Sequence, residues 1–365
     1  MKVLVAPLDW GLGHATRTVP VIREFLFHGA KVDLAVSGKM SAFFCGEFPE
    51  LSQVEIPGYE IRYPGRGVEM PLWLLKNYRR ILDVIRTEHL VAESLVQKSG
   101  YDVIISDNRF GFYSEKAWSI YMTHQMRIAF PGPFSAFEKI GIAWHKRRLE
   151  RFDEVWIPDF PELPGLAGKL SHVKYSDKSF ERKIRFIGPQ SRFLNCSAYK
   201  LTKPDDSKRF RFLSVISGPE PMRSSFEKKV LWALSQIPGN HAVILGKPGE
   251  KALPAVPPNT SVFNHLESED FVKAVLDAGT ILSRPGYSTV MDMASLGANC
   301  VFVPTPGQTE QEFLARELFR SGQAGLLSEP LLLPDNLCKM EKDRRKIHCK
   351  IREKNLLSLA VDSLF

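Results

Sequence analysis

Short runs of apolar residues alternate with longer amphipathic stretches along most of the chain. Bounded by turn residues, the runs predict strands at 2–8, 31–37, 103–106, 154–158, 184–187, 210–216, 242–245, 261–263, 280–283 and 300–303. The amphipathic stretches predict helices, of which the clearest are 14–28, 224–237, 268–278 and 288–296. Strands that alternate with helices indicate parallel sheets covered by helices, so the fold class is α/β with two Rossmann-like domains.

The pattern weakens between the two halves of the chain, where polar residues dominate and predict a linker. We expect an N-terminal domain over 1–192, a linker over 193–208 and a C-terminal domain over 209–338. Residues 339–365 are predicted to form one C-terminal helix with a charged face. Two such domains on one chain create a cleft between their strand ends, where an enzyme with two substrates places its chemistry.

The predicted strand–helix–strand unit from Thr280 to Glu312 carries the strongest chemical signal. Ligands bind such units outside the carboxyl ends of the strands. The first loop supplies a cation, a glycine and hydroxyl groups at a helix N-terminus, which suit a phosphate: Arg284, Gly286, Tyr287 and Ser288. The second loop supplies Gln311 and Glu312, whose amide and carboxylate suit sugar hydroxyls. Together these groups predict a nucleotide-sugar site.

A purely structural interpretation of the same residues stays open. Ser288 or Thr289 is also a helix-capping residue, and the spacing of Thr309 and Glu312 fits a capping box. Pro285 with Gly286 is compatible with a plain turn. The joint arrangement, rather than any one residue, favours the functional interpretation.

The loop Gly11-Leu12-Gly13-His14 follows the first predicted strand. It fails as a dinucleotide fingerprint, because Thr16 stands at the third glycine position and the second strand ends without an acidic residue, so NAD binding is excluded. The loop instead brings His14 to the start of a helix, which favours the neutral imidazole of a general base. The alternative is that His14 only caps or packs the loop.

Composition narrows the class of protein. Hydrophobic residues make up 44% and charged residues 25% of the chain, as in soluble globular proteins. No apolar stretch approaches the roughly 18–20 residues of a membrane-spanning helix, and the N-terminus begins a strand rather than a signal peptide. The five cysteines are scattered without a Cys-x-x-Cys pair, which excludes a disulfide framework or a zinc site. We therefore expect a cytoplasmic protein.

The net charge of +8 suits acidic small ligands or an anionic membrane surface. No nucleic-acid-binding module accompanies it, so nucleic acid is not an expected partner. Leu72–Arg80 mixes apolar, aromatic and basic residues, and His145–Arg148 adds a basic run. These segments suggest peripheral contact with the inner face of a membrane; the alternative is an amphipathic helix whose apolar face packs in the core.

Taken together, the two-domain α/β layout, the Gly11–His14 loop and the segment from Arg284 to Glu312 resemble GT-B glycosyltransferases. The C-terminal domain is similar to glycosyltransferase family 28, which includes the bacterial peptidoglycan UDP-N-acetylglucosamine transferase. The resemblance covers about residues 210–325 and, more loosely, 1–192. It is closer to a group of uncharacterised bacterial predicted glycosyltransferases, which implies a bacterial source.

This resemblance implies roles for individual residues. On the donor side it assigns Arg284, Gly286 and Ser288 to the diphosphate, Asp292 to the ribose hydroxyls, and Gln311 with Glu312 to the donor sugar. It also places Ser217 and Gly218 in the glycine-rich turn of the C-terminal domain, and the backbone of His265 and Leu266 beside the base. On the acceptor side it indicates Gly11, Gly13, Asp107, His124 and Gln125.

The expected activity is transfer of N-acetylglucosamine or another hexose from a nucleoside diphosphate donor, UDP-linked, to an unknown glycan, lipid-linked or small-molecule acceptor. Inversion at the anomeric carbon is implied by the resemblance, and no metal or cofactor is expected. One alternative is a nucleotide-sugar 2-epimerase, which shares the layout and the diphosphate site. The other is a non-catalytic protein that binds nucleotide sugars.

Overall fold

The computed structural model describes residues 1–9, 11–58, 70–127, 138–193, 209–218, 220–247, 250, 252–254, 256–343, 345–347 and 355–365, with only the backbone described at 39 and 70–75. The chain divides into two compact units. Unit 1 comprises Met1–Gln190 and Arg352–Phe365, and unit 2 comprises Ser191–Ile351. Most of the expected linker, residues 194–208, lies outside the described residues.

Unit 1 is built on a seven-stranded parallel sheet in the order β3-β2-β1-β4-β5-β6-β7. The strands are β1 Lys2–Pro7, β2 Lys31–Val36, β3 Gln53–Glu55, β4 Val103–Asp107, β5 Trp118–Met122, β6 Glu154–Ile157 and β7 Ile184–Phe186. The central strands are continuous apolar runs because helices cover both faces of the sheet. Its helices are α1 Leu12–Phe27, α2 Gly38–Glu47, α3 Met70–Ser99, α4 Glu138–Leu149 and α5 Lys178–Glu181.

Unit 2 is built on a six-stranded parallel sheet in the order β10-β9-β8-β11-β12-β13. The strands are β8 Phe210–Val215, β9 His241–Ile244, β10 Thr260–Phe263, β11 Ala278–Ser283, β12 Cys300–Phe302 and β13 Gly325–Leu326. The helices are α6 Met222–Ser235, α7 Ser268–Leu276, α8 Tyr287–Ser295, α9 Thr309–Arg320 and α10 Pro334–Lys342.

The C-terminal region differs from the single helix expected over 339–365. Helix α10 ends at Lys342, and a separate helix α11 spans Leu356–Asp362. Between them, Ile347 is buried and its N–H bonds the carbonyl of Ala298 at 3.2 Å, and Lys346 forms an isolated antiparallel bridge with Asn299, so residues 346–347 pair with the segment just before β12. The amphipathic pattern predicted a helix, but pairing with unit 2 interrupts it.

Helix α11 completes the core of unit 1. Its residues Leu357, Ala360 and Val361 are buried in the same cluster as residues of α1, α2 and the sheet. In that cluster Phe25 of α1 stacks on Trp156 of β6, with ring centroids 6.3 Å apart. Helix α3 packs on another cluster, through Ala92 and Val96. Among the described residues, none of the helices has the length and apolarity to cross a membrane.

Each sheet has a topological switch point, where neighbouring strands lead into connections that run in opposite directions. In unit 1 this point lies between β1 and β4, where Pro7 pairs with Asp107. In unit 2 it lies between β8 and β11, where Val215 pairs with Ser283. Open α/β sheets bind ligands in the crevice at this point, outside the carboxyl ends of the strands. The candidate residues that follow β1, β4, β8 and β11 therefore lie at these two edges.

Candidate active site

The switch point of unit 1 brings His14 against Asp107. His14 lies in the first turn of α1, directly after the loop that follows β1, and Asp107 is the last residue of β4. Nδ1 of His14 lies 2.7 Å from Oδ2 of Asp107. The Asp107 side chain is fully buried, while 18% of the His14 side chain stays exposed. The pair thus combines a fixed carboxylate with an imidazole that a ligand can reach.

Arg17 links this pair to a second histidine. Its Nε donates to Oδ1 of Asp107 at 2.8 Å, and Nη2 bonds the same oxygen. Nη1 donates to Nδ1 of His124 at 3.0 Å. His124 lies just beyond the end of β5. Arg17 stands three residues after His14, so both project from the same face of α1. Arg17 was not among the residues predicted from the sequence, although its spacing of three from His14 is a signal from which it could have been found.

The charges around His14 fix its protonation. Burial favours a higher pKa for Asp107, but the charge of Arg17 and the hydrogen bonds from His14 and Arg17 more than offset it and hold that pKa below its usual range. Nδ1 of His14 lies 2.9 Å from Nη2 of Arg17 and 2.7 Å from the ionised carboxylate of Asp107. Because the carboxylate only accepts, the shorter contact requires a proton on Nδ1, and we assign the Nδ1–H tautomer. Burial, followed by the charge of Arg17, lowers the pKa of His14. The imidazole is therefore neutral near pH 7, and its Nε2 makes no hydrogen bond to any described residue.

The other residues expected on the acceptor side, Gly11, Gly13 and Gln125, lie close to His14 or His124 in the sequence. Gly11 is the residue before α1 and is exposed, and a Cβ there would meet nothing within 4 Å. The carbonyl of Gly13 accepts a bond from the Thr16 hydroxyl at 3.2 Å. The N–H of Gln125 donates to the Thr123 hydroxyl at 3.1 Å, next to His124. The structure thus brings His14, Asp107 and His124 together at one edge of the sheet, linked by Arg17.

A cavity of about 190 Å³ opens on the same unit, between the end of β3 and α3. Its apolar lining comes from Ile56, Val84, Val91 and Phe112, and its charged lining includes Glu88 and Arg109. Arg109 is fully buried; its Nη1 donates to Glu88 at 2.8 Å and its Nε to the carbonyl of Pro7 at 2.9 Å. The cavity therefore borders the loops that follow β1 and β4.

The predicted basic run His145–Arg148 does not form a single face. His145 is buried, and its ring packs edge-on against Phe110 with centroids 5.4 Å apart. Lys146 forms ion pairs with Glu150 at 2.5 Å and Asp177 at 2.9 Å. Arg147 of the same run is exposed, and contact with anionic lipid stays a prediction. The other expected membrane segment, Leu72–Arg80, lies partly outside the described side chains.

At the switch point of unit 2, the loop after β8 leaves space for a ligand. Gly218 has φ 111°, a conformation that favours glycine, and a Cβ there would meet nothing within 4 Å. Ser217 is half-buried, and its hydroxyl bonds none of the residues that the structure describes. The next residue, Pro219, lies outside the described residues. Helix α6 follows, so its N-terminus lies at this edge of the sheet.

Arg284 occupies a different place from the one expected. Its side chain is 1% exposed; Nη2 pairs with Oε2 of Glu329 at 2.5 Å, and Nη1 bonds the carbonyls of Val303 and Pro304, each at 2.9 Å. The guanidinium group lies 4.1 Å from the centroid of the Phe226 ring. Its charge is therefore satisfied inside unit 2. The expectation of a phosphate ligand is corrected: Arg284 joins the loop after β11 to the loop after β12.

The turn from Gly286 into α8 is otherwise as expected. Gly286 precedes the helix with φ −67°, and a Cβ there would make only an ordinary contact, 3.9 Å from the Thr289 hydroxyl. Tyr287 is 3% exposed, whereas Ser288 is half-buried. The N-terminus of α8 thus carries a hydroxyl group at the switch point, and its dipole favours an anion.

Asp292 lies one turn further along α8. Its Oδ1 accepts a bond from the Ser191 hydroxyl at 2.7 Å. Burial raises the pKa of Asp292 to about 6, against an ordinary value of 3.8. Its second oxygen, Oδ2, bonds no described residue. The carboxylate is therefore held at one oxygen and poorly solvated, which makes it receptive to hydroxyl donors.

Gln311 and Glu312 both fold back onto the loop that precedes α9. Oε1 of Gln311 accepts the N–H of Thr305 at 2.8 Å, and Oε1 of Glu312 accepts the N–H of Gly307 at 3.0 Å. Fixing Oε1 of Gln311 also fixes the direction of its Nε2, which bonds no described residue. The two side chains shape the loop, and Gln311 keeps one amide donor for a ligand.

After β10, the backbone N–H groups of His265 and Leu266 make no hydrogen bond within the described residues. The imidazole Nε2 of His265 lies 3.9 Å from Glu267. Main-chain donors at a strand end suit the edge of a nucleobase. Within the described part of the chain, no cluster of three or more metal-ligating side chains is present.

No family model matches the sequence. An uncharacterized glycosyltransferase of Methanosarcina acetivorans is 23% identical over 345 residues, which cover 90% of this chain and 86% of the relative. A second uncharacterized glycosyltransferase of the same organism is 25% identical over 359 residues, which cover 90% of this chain and 84% of that relative. The spinosyn rhamnosyltransferase SpnG covers 100% of this chain and 95% of its own, with a TM-score of 0.63 and 16% identity. The match to MurG of Acinetobacter baumannii covers 100% of this chain and 98% of MurG, with a TM-score of 0.54 and 14% identity.

The predicted fold class is thereby confirmed: two parallel-sheet α/β units form the GT-B fold of these glycosyltransferases. With curated relatives along nine-tenths of its length, the chain is a glycosyltransferase, so the expectation of an enzyme of this class is also confirmed. These curated relatives are archaeal and lend no support to the expected bacterial source.

Proposed function

We propose that the protein transfers a hexose from a nucleoside diphosphate sugar, bound by unit 2, to an acceptor hydroxyl, with His14 as general base. The observation that carries this proposal is the 2.7 Å bond between His14 and Asp107, which directs Nε2 of an accessible, neutral imidazole toward a ligand. A neutral imidazole whose Nε2 is open to a ligand is suited to accept a proton at physiological pH. Arg17 and Asp107 are positioning residues, because both act through His14.

The donor site combines backbone and hydroxyl groups at the switch point of unit 2. We assign the diphosphate to the loop of Ser217 and Gly218 and to the N-terminus of α8 at Ser288. Since Arg284 is neutralised by Glu329, the helix end and the loop carry this task without its charge. We infer a UDP-linked donor; SpnG, a structural neighbour, has been solved with thymidine diphosphate, which supports the nucleoside diphosphate class.

The rest of the donor is assigned by chemistry. Asp292 accepts bonds from the ribose hydroxyls through Oδ2, and the main-chain N–H groups of His265 and Leu266 face the base. Gln311 donates from Nε2 to a hydroxyl of the sugar, and Glu312 holds the loop beside it. N-acetylglucosamine is the sugar that we propose to test first, with other hexoses as its alternatives.

In the reaction, the acceptor oxygen attacks the anomeric carbon and its proton passes to Nε2 of His14. The bond between that carbon and the diphosphate oxygen breaks, and the electron pair leaves with the nucleoside diphosphate. A single displacement inverts the anomeric centre. The negative charge that develops on the diphosphate meets the positive end of α8, so the proposal includes no metal ion. Activity that is unchanged by EDTA is the expected result.

On the acceptor side, we propose that the cavity beside Arg109 and Glu88 receives part of the acceptor. Its mixture of apolar and charged lining suits a molecule with both a hydrocarbon and a polar portion. A lipid-linked sugar, a glycan and a small-molecule alcohol are therefore the three acceptor classes to compare. Peripheral membrane contact belongs to the first class, and co-sedimentation with anionic vesicles tests it.

The first experiment measures thermal shifts of the purified protein with UDP-, GDP-, TDP- and CMP-sugars and the free nucleotides. A ligand at about 100 times its Kd stabilises a protein by about 2.7 kcal/mol, which a melting curve resolves. A shift with a uridine diphosphate sugar supports the donor assignment. Donor consumption without an added alcohol, with return of an epimer, would indicate an epimerase, and binding without turnover would indicate a sensor. No shift with any nucleotide sugar would overturn the proposal.

A further inference from the structure

The segment where the chain enters unit 2 is bonded to the carboxylate that we assign to the donor ribose. Ser191 is the first residue of unit 2. Its hydroxyl donates to Oδ1 of Asp292 at 2.7 Å and accepts the N–H of Phe193 at 3.3 Å. The Ser295 hydroxyl lies 3.0 Å from Ser191 Oγ and 2.8 Å from the carbonyl of Asp292. Ser191 therefore belongs to a compact hydrogen-bonded group around Asp292.

The surrounding packing holds Ser191 in place. Phe193 is 1% exposed and stacks on Phe271 of α7, with ring centroids 5.0 Å apart and an interplanar angle of 7°. The residue before the boundary, Gln190, bonds the carbonyls of Ile187 and Gly188 within unit 1, at 2.9 and 3.0 Å. Gln190 and Ser191, the residues on either side of the boundary, are therefore both held by hydrogen bonds. The Ser191 hydroxyl cannot move away from Asp292 without disturbing the buried Phe193.

We propose that Ser191 is a positioning residue for the donor: by bonding Oδ1 of Asp292, it fixes the carboxylate so that Oδ2 faces the ribose hydroxyls of the nucleotide sugar. This inference rests on the proposed function of unit 2. Part of the donor affinity then comes from Ser191, the residue at which the chain enters unit 2. A free Asp292 side chain has several rotamers of similar energy, whereas the bonded one presents a single acceptor in a fixed direction.

The buried carboxylate of Asp292 also makes donor affinity depend on pH, and the Ser191 bond sets where the midpoint lies. Burial is the main cause that raises the pKa of Asp292, and the Ser191 bond and the charge of Arg192 oppose it. Arg192 is the one charged side chain that acts on this carboxylate within the described residues. The ribose hydroxyls donate better to the ionised form, so affinity rises as pH increases through the pKa of Asp292. Loss of the Ser191 bond moves that midpoint to higher pH.

The test compares Ser191→Ala with the wild type by calorimetry, using UDP-N-acetylglucosamine from pH 5 to pH 8. Ser191→Ala is expected to weaken binding about tenfold at pH 7, the usual effect of a hydrogen bond to a charged group, and to move the midpoint upward. In turnover assays the loss falls on KM for the donor rather than on kcat. Ser191→Thr, which keeps the hydroxyl, restores both the affinity and the midpoint.

Two further variants separate positioning from folding. Ser321→Ala removes a hydroxyl that bonds a carbonyl in unit 2 at 3.1 Å, away from Asp292, and should bind donor as the wild type does. Ser191→Cys keeps the size of the side chain and weakens the bond; it gives a second measure if Ser191→Ala does not fold. If donor affinity and the pH midpoint of binding are unchanged in both Ser191→Ala and Ser191→Cys, this inference alone is overturned. Absence of nucleotide-sugar binding by the wild type overturns the proposed function together with it.

Discussion

The two switch points have the same topology and different chemistry. At the edge of unit 1, ionisable side chains converge on one another: His14, Arg17, Asp107 and His124 are linked within hydrogen-bond distance. At the edge of unit 2, Arg284 turns inward to Glu329, and the loops around it present glycine, hydroxyl groups and helix N-termini. Parallel strands thus supply a place for ligands in both units, while the residues after the strands decide what kind of ligand fits.

This difference matches two different tasks. Removing a proton from an alcohol requires a group with a defined tautomer and pKa, which only a fixed set of side chains provides. Holding a diphosphate requires several weak donors that approach it closely, and main-chain N–H groups provide them without desolvating a cation. Substitutions at the first edge should therefore change turnover, and those at the second should change stability or affinity.

The largest expected effect is at the first edge. His14→Ala removes the base and should lower turnover by about 10²–10⁴-fold, with donor affinity unchanged by calorimetry. His28→Gln, near the opposite end of α1, is the matched control and should keep normal turnover. An equal loss of donor affinity in His14→Ala would show that His14 binds the donor instead of activating the acceptor.

Arg284 tests the second edge. Arg284→Met leaves Glu329 and the carbonyls of Val303 and Pro304 without their donor, and should destabilise unit 2 by about 3–5 kcal/mol in urea denaturation, as for other broken buried pairs. The double variant Arg284→Met with Glu329→Gln should recover part of this loss. A direct phosphate ligand would behave differently: donor affinity would fall while the free energy of unfolding stayed within about 0.5 kcal/mol.

A third prediction concerns acid and unit 1. Burial lowers the pKa of His145 from 6.5 to about 4. Below pH 6.5 the unfolded chain takes up a proton that the folded chain refuses, so stability falls as pH decreases and the loss is complete near pH 4. The loss should reach about 3 kcal/mol. His145→Asn, whose amide nitrogen replaces Nδ1, should flatten this dependence; an unchanged pH profile would contradict the assignment.

The smallest effect has the opposite sign. Because the pKa of Asp292 is raised to about 6, its ionisation opposes folding, and this cost grows as pH increases from about 4 to 6. Asp292→Asn should therefore stabilise the protein at pH 7 by about 1–3 kcal/mol and weaken donor binding in the same preparation. Thermal melting and calorimetry measure the two changes. A variant that is less stable and binds donor normally would make Asp292 a structural residue.

Much of this was predictable from the sequence. Ten of the thirteen described strands follow from short apolar runs; β3 and β13 are too short and β5 too mixed in polarity, and these three were not predicted. His14 and Asp107 were expected because each follows a predicted strand, 2–8 or 103–106. Arg17 was missed because an arginine in an amphipathic helix resembles an exposed residue unless its spacing from His14 is considered. The partner of Arg284 is 45 residues away, and no local pattern indicates which distant carboxylate will neutralise a buried cation. Long-range pairing, rather than local propensity, limited the prediction.

Helix α11 has a consequence for how the chain is synthesised. Unit 2 is one continuous stretch, whereas unit 1 is interrupted by it and regains its last helix only at residues 356–362. A ribosome that adds about 5–20 residues per second delivers all of unit 2 before that helix. Until then, the face of α1 that Leu357 and Val361 cover is open to solvent. The unit that begins the chain is thus the last to be completed, and a fragment cut at Gln190 lacks part of its own core.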